Sequence, residues 1–372
     1  MISGLLILSG IIYALVILLS WYGWRKTKIF NTTKNNFTTK VSVIIPARNE
    51  EKNILKCLNA ISQQTFPKHL AEIIVVDDNS EDKTQSVVAA WIATQSVNAK
   101  IISAEDGAGK KHALNLGIKN ATGELIITTD ADCTMEQEWL STIVGYYEEY
   151  SPDMIAGMVG IKEENNFSSV FQSLELTGLT AIGAAGIYFH HPLLCNGANL
   201  AYRKNIFEET GGFDVEEESA SGDDTMMMFR VSKRNPGAVH FLKSKEAMVF
   251  TNAAQSFNTF FLQRKRWGSK VLMQGNSFSV IIAIAVVLFH ISLLLSLIIA
   301  AAGIISWKIF LLVLVLKIIP EIILLTDVLA FSGKKKSFHI ILISQIIYPF
   351  YLVVTALLSQ MGTYEWKGRR VK

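Results

Sequence analysis

The sequence predicts an α/β domain built on a mainly parallel sheet and flanked by transmembrane helices. Three observations carry this expectation. Short apolar runs alternate with helical spacings between Val41 and Thr129, the pattern of strands joined by crossover helices. Long apolar segments stand at both ends of the chain, before residue 24 and after residue 277, and are long enough to cross a bilayer. Two of the short runs close on carboxylates, Asp77-Asp78 and Asp130-Ala131-Asp132, at the strand ends where ligands meet an open parallel sheet.

Composition agrees. Half of the 372 residues are hydrophobic and 18% are charged, against about 25% charged in a soluble protein. The deficit falls at the two ends, which points to membrane segments rather than to a large core. Net charge is +3, from 35 basic and 32 acidic residues, and gives no ground for a nucleic-acid polymer as partner. The three cysteines, Cys57, Cys133 and Cys195, are odd in number and lack C-x-x-C spacing. That argues against a disulfide framework or a zinc site and reads them as small buried hydrophobes.

The elements follow in order. Residues 1–24 are expected to form a transmembrane helix, since residues 2–21 are almost wholly apolar. A signal peptide is disfavoured: no basic residue precedes the run and no small-residue cleavage site follows it. Arg25, Lys26, Lys28 and Lys34 come next, and the positive-inside rule then places the following domain in the cytoplasm, at the cell inner membrane. Residues 25–40 read as a polar linker, and residues 41–252 as the α/β domain. Strands are expected over 41–46, 71–76, 100–103 and 124–129, and helices over 51–64, 83–93 and 111–120. Residues 253–276 read as an interfacial amphipathic helix, with Phe257, Phe260, Phe261 and Trp267 in the headgroup layer.

Residues 277–361 hold three apolar segments, 278–300, 310–330 and 338–358, and residues 362–372 are a basic tail. Lys334, Lys335 and Lys336 should face the cytoplasm. A third full crossing would put Lys367, Arg369, Arg370 and Lys372 outside. Either the segment interrupted by Pro349 dips in and returns, or the tail breaks the rule. Within the second segment, Lys317 and Glu321 are four residues apart. They either pair on one helix face at membrane depth or belong to a helix lying partly in the interface; Pro320 and Asp327 share the segment.

Four polar clusters carry the chemistry. In Asp130-Ala131-Asp132, a spacing of two puts both carboxylates on one side of an extended backbone, and hard oxygen ligands suit Mg²⁺ or Mn²⁺ on a diphosphate. The bland reading is a pair of solvated turn carboxylates; Lys110 and Asn115 upstream favour the metal. Asp77-Asp78 ends an apolar run, while Ser80 or Asp82 could cap the next helix. Asp223-Asp224 precedes Met226-Met227-Met228. Adjacent carboxylates repel, which suits one of them to taking a proton, although acidic residues also favour a helix start. Gln263, Arg266 and Trp267 lie at i, i+3 and i+4 and share a helix face that suits sugar hydroxyls, phosphate and ring stacking. His112, His190, His191 and His240 lack ligand spacing, with His112 the one nearest the nucleotide motifs.

These strings resemble the family 2 glycosyltransferases of GT-A fold, in their membrane-embedded synthase branch. The resemblance runs from Val41 to about Trp267. It is carried by Val43 to Glu50 (V-I-I-P-A-R-N-E), Val76 to Ser80, Gly109 to Asn115, Thr129 to Asp132, Gly211 to Asp214 and Gln263 to Trp267. It implies that Pro46, Arg48, Glu50 and Asp78 line a uridine pocket, that Lys110 approaches the nucleotide, and that Asp132 with Asp130 holds Mn²⁺ or Mg²⁺ on the diphosphate. The family base is the last acid of a T-E-D or G-D-D motif, six residues before an arginine; Asp224 and Arg230 have that spacing, with Asp223 as neighbour. Gln263, Arg266 and Trp267 would hold the acceptor and assist the diphosphate.

The resemblance implies an inverting hexosyltransferase that uses a UDP-sugar donor and a lipid or glycan acceptor among membrane lipids. The tail from Tyr364 to Arg370 resembles the end of lipid glucosyltransferases, which favours single transfer to a lipid. Resemblance to cellulose, hyaluronan and poly-N-acetylglucosamine synthases keeps processive polysaccharide synthesis open, and an inactive membrane scaffold retaining the fold is a third reading.

Overall fold

A computed structural model of the chain describes residues 1–105, 107, 109–162, 166–213, 223–271, 276–334, 338–360, 364–366 and 369–371. In chain order the elements are α1 (Ile2–Lys26), β1 (Val41–Ala47), α2 (Ile54–Ser62), β2 (Ala71–Asp77), α3 (Thr84–Thr94), β3 (Ala99–Ser103), α4 (Lys110–Lys119), β4 (Leu125–Thr128), β5 (Thr134–Met135), α5 (Trp139–Tyr150), β6 (Met154–Gly157), β7 (Val159–Ile161), α6 (Phe167–Tyr188), β8 (Leu200–Arg203), α7 (Lys204–Glu209), α8 (Asp223–Arg234), β9 (Val239–Leu242), β10 (Val249–Thr251), α9 (Phe257–Val271), α10 (Ser277–Ala301), α11 (Trp307–Phe331) and α12 (Phe338–Ser359). A short β11–β12 pair (Tyr364–Trp366, Arg369–Val371) ends the chain. They form two compact units. One is helical (Met1–Thr27, Glu163–Leu193, Ala253–Gly362) and one is α/β (Lys28–Lys162, Leu194–Asn252, Thr363–Lys372).

In the α/β unit a seven-stranded sheet has the order β3-β2-β1-β4-β8-β6-β9. β3, β2, β1 and β4 run parallel, while β8 is antiparallel to both its neighbours. β1 and β4 are buried along almost their whole length, with Val43, Ile44 and Ile45 fully inaccessible, as expected of strands covered on both faces. α4 lies close over them: a β-carbon on Gly117 would come within 2.6 Å of Ile44, so only glycine lets that helix approach. A second sheet, β5-β10-β7, stands beside it. The expected strands and helices of residues 41–129 are all present, with ends shifted by up to three residues.

Among the described residues, the helical unit contains five helices long and apolar enough to cross a membrane: α1, α6, α10, α11 and most of α12. α6 has no counterpart in the sequence reading, which ran the α/β domain unbroken over 41–252. It was missed because its apolar residues are interspersed with Ser, Thr, Gln and Glu175, and because it lies inside the span of the soluble motifs. α12 is one continuous helix through Pro349 rather than a segment that dips and returns. Among the segment's expected basic flanks, Lys335, Lys336, Lys367 and Lys372 lie outside the described residues.

Lys317 and Glu321 do pair at helix depth, at 3.0 Å, with Lys317 fully buried. Lys317 Nζ also donates to Gln345 Oε1 at 2.6 Å, and Tyr13 OH donates to Glu321 Oε1 at 2.5 Å. Side chains of α1, α11 and α12 are thereby joined at one polar point. On α9, Phe260 is buried against Phe171 and Tyr351. Phe257 is exposed, so the expected headgroup row is divided.

Residues 28–40 are strapped to the α/β unit. The Phe30 N–H donates to Lys243 O at 2.9 Å, and the Phe30 ring meets Tyr146 of α5 edge-on. Glu148 of α5 anchors the other end: its Oε1 accepts from the Thr38 and Thr39 N–H groups at 2.8 and 2.9 Å, and Lys34 Nζ lies 2.5 Å from Oε2. Desolvation pushes the Glu148 carboxyl up, but Lys34 and the two amides outweigh it and bring its pKa down to about 2. A carboxyl whose folded pKa is depressed adds stability above its unfolded pKa and loses it on acidification. Glu148→Gln should therefore cost about 1–2 kcal/mol at neutral pH. The deficit should shrink as pH falls from about 4.5 towards about 2. Thermal unfolding of both proteins across that range checks it, and a pH-independent difference would contradict the charge-based anchor.

Candidate active site

β2, β1 and β4 end on one edge of the large sheet, in a register that sets Ala47 opposite Asp77 and Ile44 opposite Thr128. β2 and β3 extend to one side of β1 and β4 to the other. Such a switch opens a crevice beyond the carboxyl ends of the strands.

Two loops close the β1–β2 side. Asp78 is buried; its N–H donates to Ala47 O at 2.8 Å and its Oδ1 accepts from the Gly109 N–H at 2.8 Å. Asn49 and Asn79 take positive φ of 53° and 54°, a region asparagine tolerates better than most residues. The Asn49 N–H donates to Ser80 Oγ at 3.0 Å and Asn49 Oδ1 accepts from the Glu81 N–H at 2.8 Å. Arg48 spans the same gap, donating to Asp78 O and Asn79 O at 3.1 and 3.4 Å, with Glu81 at 3.4 Å. Glu50 Oε2 accepts from Asn53 Nδ2 at 2.8 Å. Pro46, half-buried, ends the row at β1, opposite Val76. Pro46, Arg48, Glu50 and Asp78 are thus gathered at one edge.

Asp82, not Ser80, serves the start of α3: its Oδ1 accepts from the Thr84 N–H at 2.9 Å. Desolvation raises that carboxyl, but the hydroxyl and N–H of Thr84 and the Glu51 N–H hold it below its usual range. His112 packs its ring against Gly107, where a β-carbon would come within 2.6 Å.

Asp130-Ala131-Asp132 is not extended, contrary to the sequence expectation. β4 stops at Thr128, and the Cys133 N–H donates back to Asp130 O at 3.0 Å, closing a turn that leads into β5. The two carboxylates consequently meet different partners. Lys110, the first residue of α4, brings Nζ to 2.6 Å from Asp130 Oδ1. Asp132 Oδ2 accepts from Thr251 Oγ1 of β10 at 3.1 Å, so the small sheet fixes the second carboxylate. Asn115 does not join them: it exchanges hydrogen bonds with the Phe213 backbone at 2.7 and 3.3 Å.

Cys57 Sγ donates to Asp130 O at 3.6 Å from beneath the turn. Burial first, then the Asp132 and Asp130 charges, push the Cys57 and Cys133 thiols well up. Both are buried, in keeping with the reading of the cysteines as small buried hydrophobes. The donors that remain are hard carboxylate oxygens, which fit Mg²⁺ or Mn²⁺. Among the described residues no group of three His, Cys, Asp or Glu side chains is gathered for a metal. Asp130 and Asp132 are the residues that would hold such a cation.

Asp224 lies in the first turn of α8, where the helix dipole favours negative charge. Its carboxylate presses on the Gly197 α-carbon so closely that a β-carbon there would lie 2.0 Å from Oδ2. Gly197 O in turn accepts from Thr128 Oγ1 at 2.8 Å, two residues before Asp130. Burial, then the Asp224 charge, raise the Cys195 thiol and the Tyr202 phenol. Arg230 Nη2 donates to Gly212 O, tying α8 to the glycine pair. The Asp223 side chain, Ser221, Gly222 and Asp214 lie outside the described residues. Gln263, Arg266 and Trp267 belong to the helical unit, half-buried on α9.

The sequence reading did not single out Gly197 or Thr251. The string Cys195-Asn196-Gly197-Ala198-Asn199 hinted at a tight turn, but nothing in it named Asp224 as the neighbour.

The model of the family described as Glycosyl transferase family 2 matches residues 42–211. Glycosyltransferase AglE of Haloferax volcanii is 31% identical over 231 residues, 61% of this chain and 71% of that protein. A Methanococcus voltae protein named dolichyl N-acetyl-α-D-glucosaminyl phosphate 3-β-D-2,3-diacetamido-2,3-dideoxy-β-D-glucuronosyltransferase is 34% identical over 146 residues, 37% of this chain and 46% of that protein. Among solved structures, the mannosyltransferase PcManGT of Pyrobaculum calidifontis, in complex with GDP-Man and Mn²⁺, has a TM-score of 0.67 at 19% identity, covering 96% of this chain and 99% of its own. That likeness establishes the fold.

The Gly197 contact gives a direct check on the placement of Asp224. Gly197→Ala must displace the carboxylate or the loop, and overpacking of this kind costs about 1–3 kcal/mol. A fall in thermal midpoint of several degrees is expected, and an unchanged midpoint would show that the carboxylate does not rest on Gly197.

Proposed function

The chain belongs to glycosyltransferase family 2, and on that premise we propose that it moves one sugar, with inversion, from a UDP-sugar to a hydroxyl of a membrane lipid. The observation that carries the reading is the convergence of Asp78, Asp130 and Asp132 on one strand edge, in a chain whose described residues also include five helices apolar enough to span a bilayer. The Methanococcus relative, whose name includes a dolichyl sugar phosphate, supports a lipid-linked acceptor. The Pyrobaculum structure holds GDP-Man, so uridine is proposed from the Pro46, Arg48, Glu50 and Asp78 pattern. Arg25, Lys26, Lys28 and Lys34 support a cytoplasmic α/β unit at the inner membrane.

In this proposal the uracil and ribose lie against Pro46, Arg48, Glu50 and Asp78. Lys110 meets the phosphates. Asp132, with Asp130, would hold a divalent cation, Mn²⁺ or Mg²⁺, which supplies charge compensation for the departing diphosphate when bound. Asp224, with Asp223 beside it, takes the proton from the acceptor hydroxyl. The freed oxygen forms a bond to the anomeric carbon from one face. On the other face the bond to the diphosphate breaks, and its electron pair leaves with UDP. The carbon passes through an oxocarbenium-like state and its configuration inverts. Gln263, Arg266 and Trp267 are the proposed acceptor and diphosphate contacts.

Two substitutions separate these roles. Asp224→Asn should lower transfer by about 10²–10⁴-fold and leave UDP affinity close to that of the native protein, as titration calorimetry would show. Transfer at the native rate would remove Asp224 as the base. Asp132→Ala should weaken Mn²⁺-dependent UDP binding by about tenfold or more with little change in metal-free binding. Equal losses with and without Mn²⁺ would contradict the cation role.

A further inference from the structure

We propose that Arg264, braced by Glu175, is the positioning residue that fixes Gln263 and Trp267 in the orientation they use. The inference rests on the reading that these two residues contact the acceptor, and it adds the side chain between them, which the i, i+3, i+4 pattern passes over. Arg264 is turned inward and only 5% exposed. From α9 it reaches Glu175 on α6, where Nε donates to Oε2 at 2.7 Å and Nη2 lies 2.7 Å from the same oxygen. The second Glu175 oxygen, Oε1, accepts from Tyr351 OH of α12 at 2.8 Å. Both carboxylate oxygens are thus engaged, and the Glu175 side chain is 9% exposed.

The guanidinium held in this way makes three further contacts along α9. Its Cζ lies over the Trp267 ring, 4.5 Å from the centroid, and over the Phe260 ring at 4.4 Å. Its remaining arm, Nη1, donates to Gln263 Oε1. One rigid, planar cation therefore sets both the face of the indole and the direction of the amide. Lysine offers a point charge with neither the fork nor the flat surface, so positive charge alone would not hold these two neighbours. A buried pair is also a poor source of net stability compared with apolar packing, and the helix register that such a pair can fix does not by itself require the contacts to Gln263 and Trp267.

The test uses full-length protein in lipid nanodiscs, grown with 5-fluorotryptophan, with the Trp267 resonance assigned by its loss in Trp267→Phe. Glu175→Gln and Arg264→Lys are compared with the native protein, and Tyr351→Phe, a milder change, serves if either fails to fold. Each is read by the Trp267 ¹⁹F signal, by Mn²⁺-dependent UDP affinity, and by transfer from pooled radiolabelled UDP-sugars to total membrane-lipid extract. The proposal expects the Trp267 signal to shift or broaden, UDP affinity to stay within about twofold, and the half-saturating lipid to rise about tenfold. An unmoved Trp267 signal in folded variants overturns the positioning role. So does a loss of transfer that merely tracks a loss of UDP affinity and thermal stability. A shifted signal with unchanged transfer supports the positioning pair and sinks the acceptor reading of Gln263 and Trp267 instead.

Discussion

The α/β unit depends on one constraint: β2, β1 and β4 run parallel and stop at the same edge. Each strand is a run of buried aliphatic residues that cannot end in solvent without polar groups to take over. Asp77-Asp78 and Asp130 to Asp132 stand where that changeover occurs. The side chains proposed for nucleotide and cation come from points distant in sequence, and only the sheet's register makes them neighbours. The loops are then held by their own polar groups, with Arg48 bridging to the backbone of Asp78 and Asn79 and the Asp130 turn closed by the Cys133 amide. Preorganised charge of this kind is the largest contribution most enzymes make to catalysis.

Much of this was legible in the sequence because it is local. Apolar runs, their helical or strand spacing and the acids that end them lie within a few residues of one another. What escaped depends on contacts between distant segments. The Asp130 turn follows from β5 having to pair with β10, which no window around residue 130 contains. Gly197 looks like any turn glycine until Asp224 is found against it. Glu175 reads as a lone acid in an apolar helix, and its meaning comes from Arg264 and Tyr351, both more than eighty residues away. α6 was overlooked for a related reason: small and hydroxyl residues let it pack closely in the helical unit, as where Gly23 of α1 meets Ala185, but they dilute its hydropathy.

Among the described residues, the helical unit also carries two buried ion pairs where apolar side chains would cost less desolvation. Lys317 and Glu321, joined by Tyr13 and Gln345, fix α1, α11 and α12 at one level. Arg264 and Glu175, joined by Tyr351, do the same for α9, α6 and α12. Apolar helices can slide or rotate against each other at little cost, whereas a hydrogen-bonded charge has one register, the best-attested use of buried polar groups. Both clusters give α12 a defined place although Pro349 interrupts its backbone hydrogen bonding.

The central claim is that this chain transfers a single sugar to a lipid. Protein in lipid, supplied with radiolabelled UDP-sugars, Mn²⁺ and a total membrane-lipid extract, followed by organic extraction of the products, tests it directly. The account predicts label in the organic phase as one discrete species, from one donor. Label retained in water as high-mass material would contradict it and make the chain a polymer synthase.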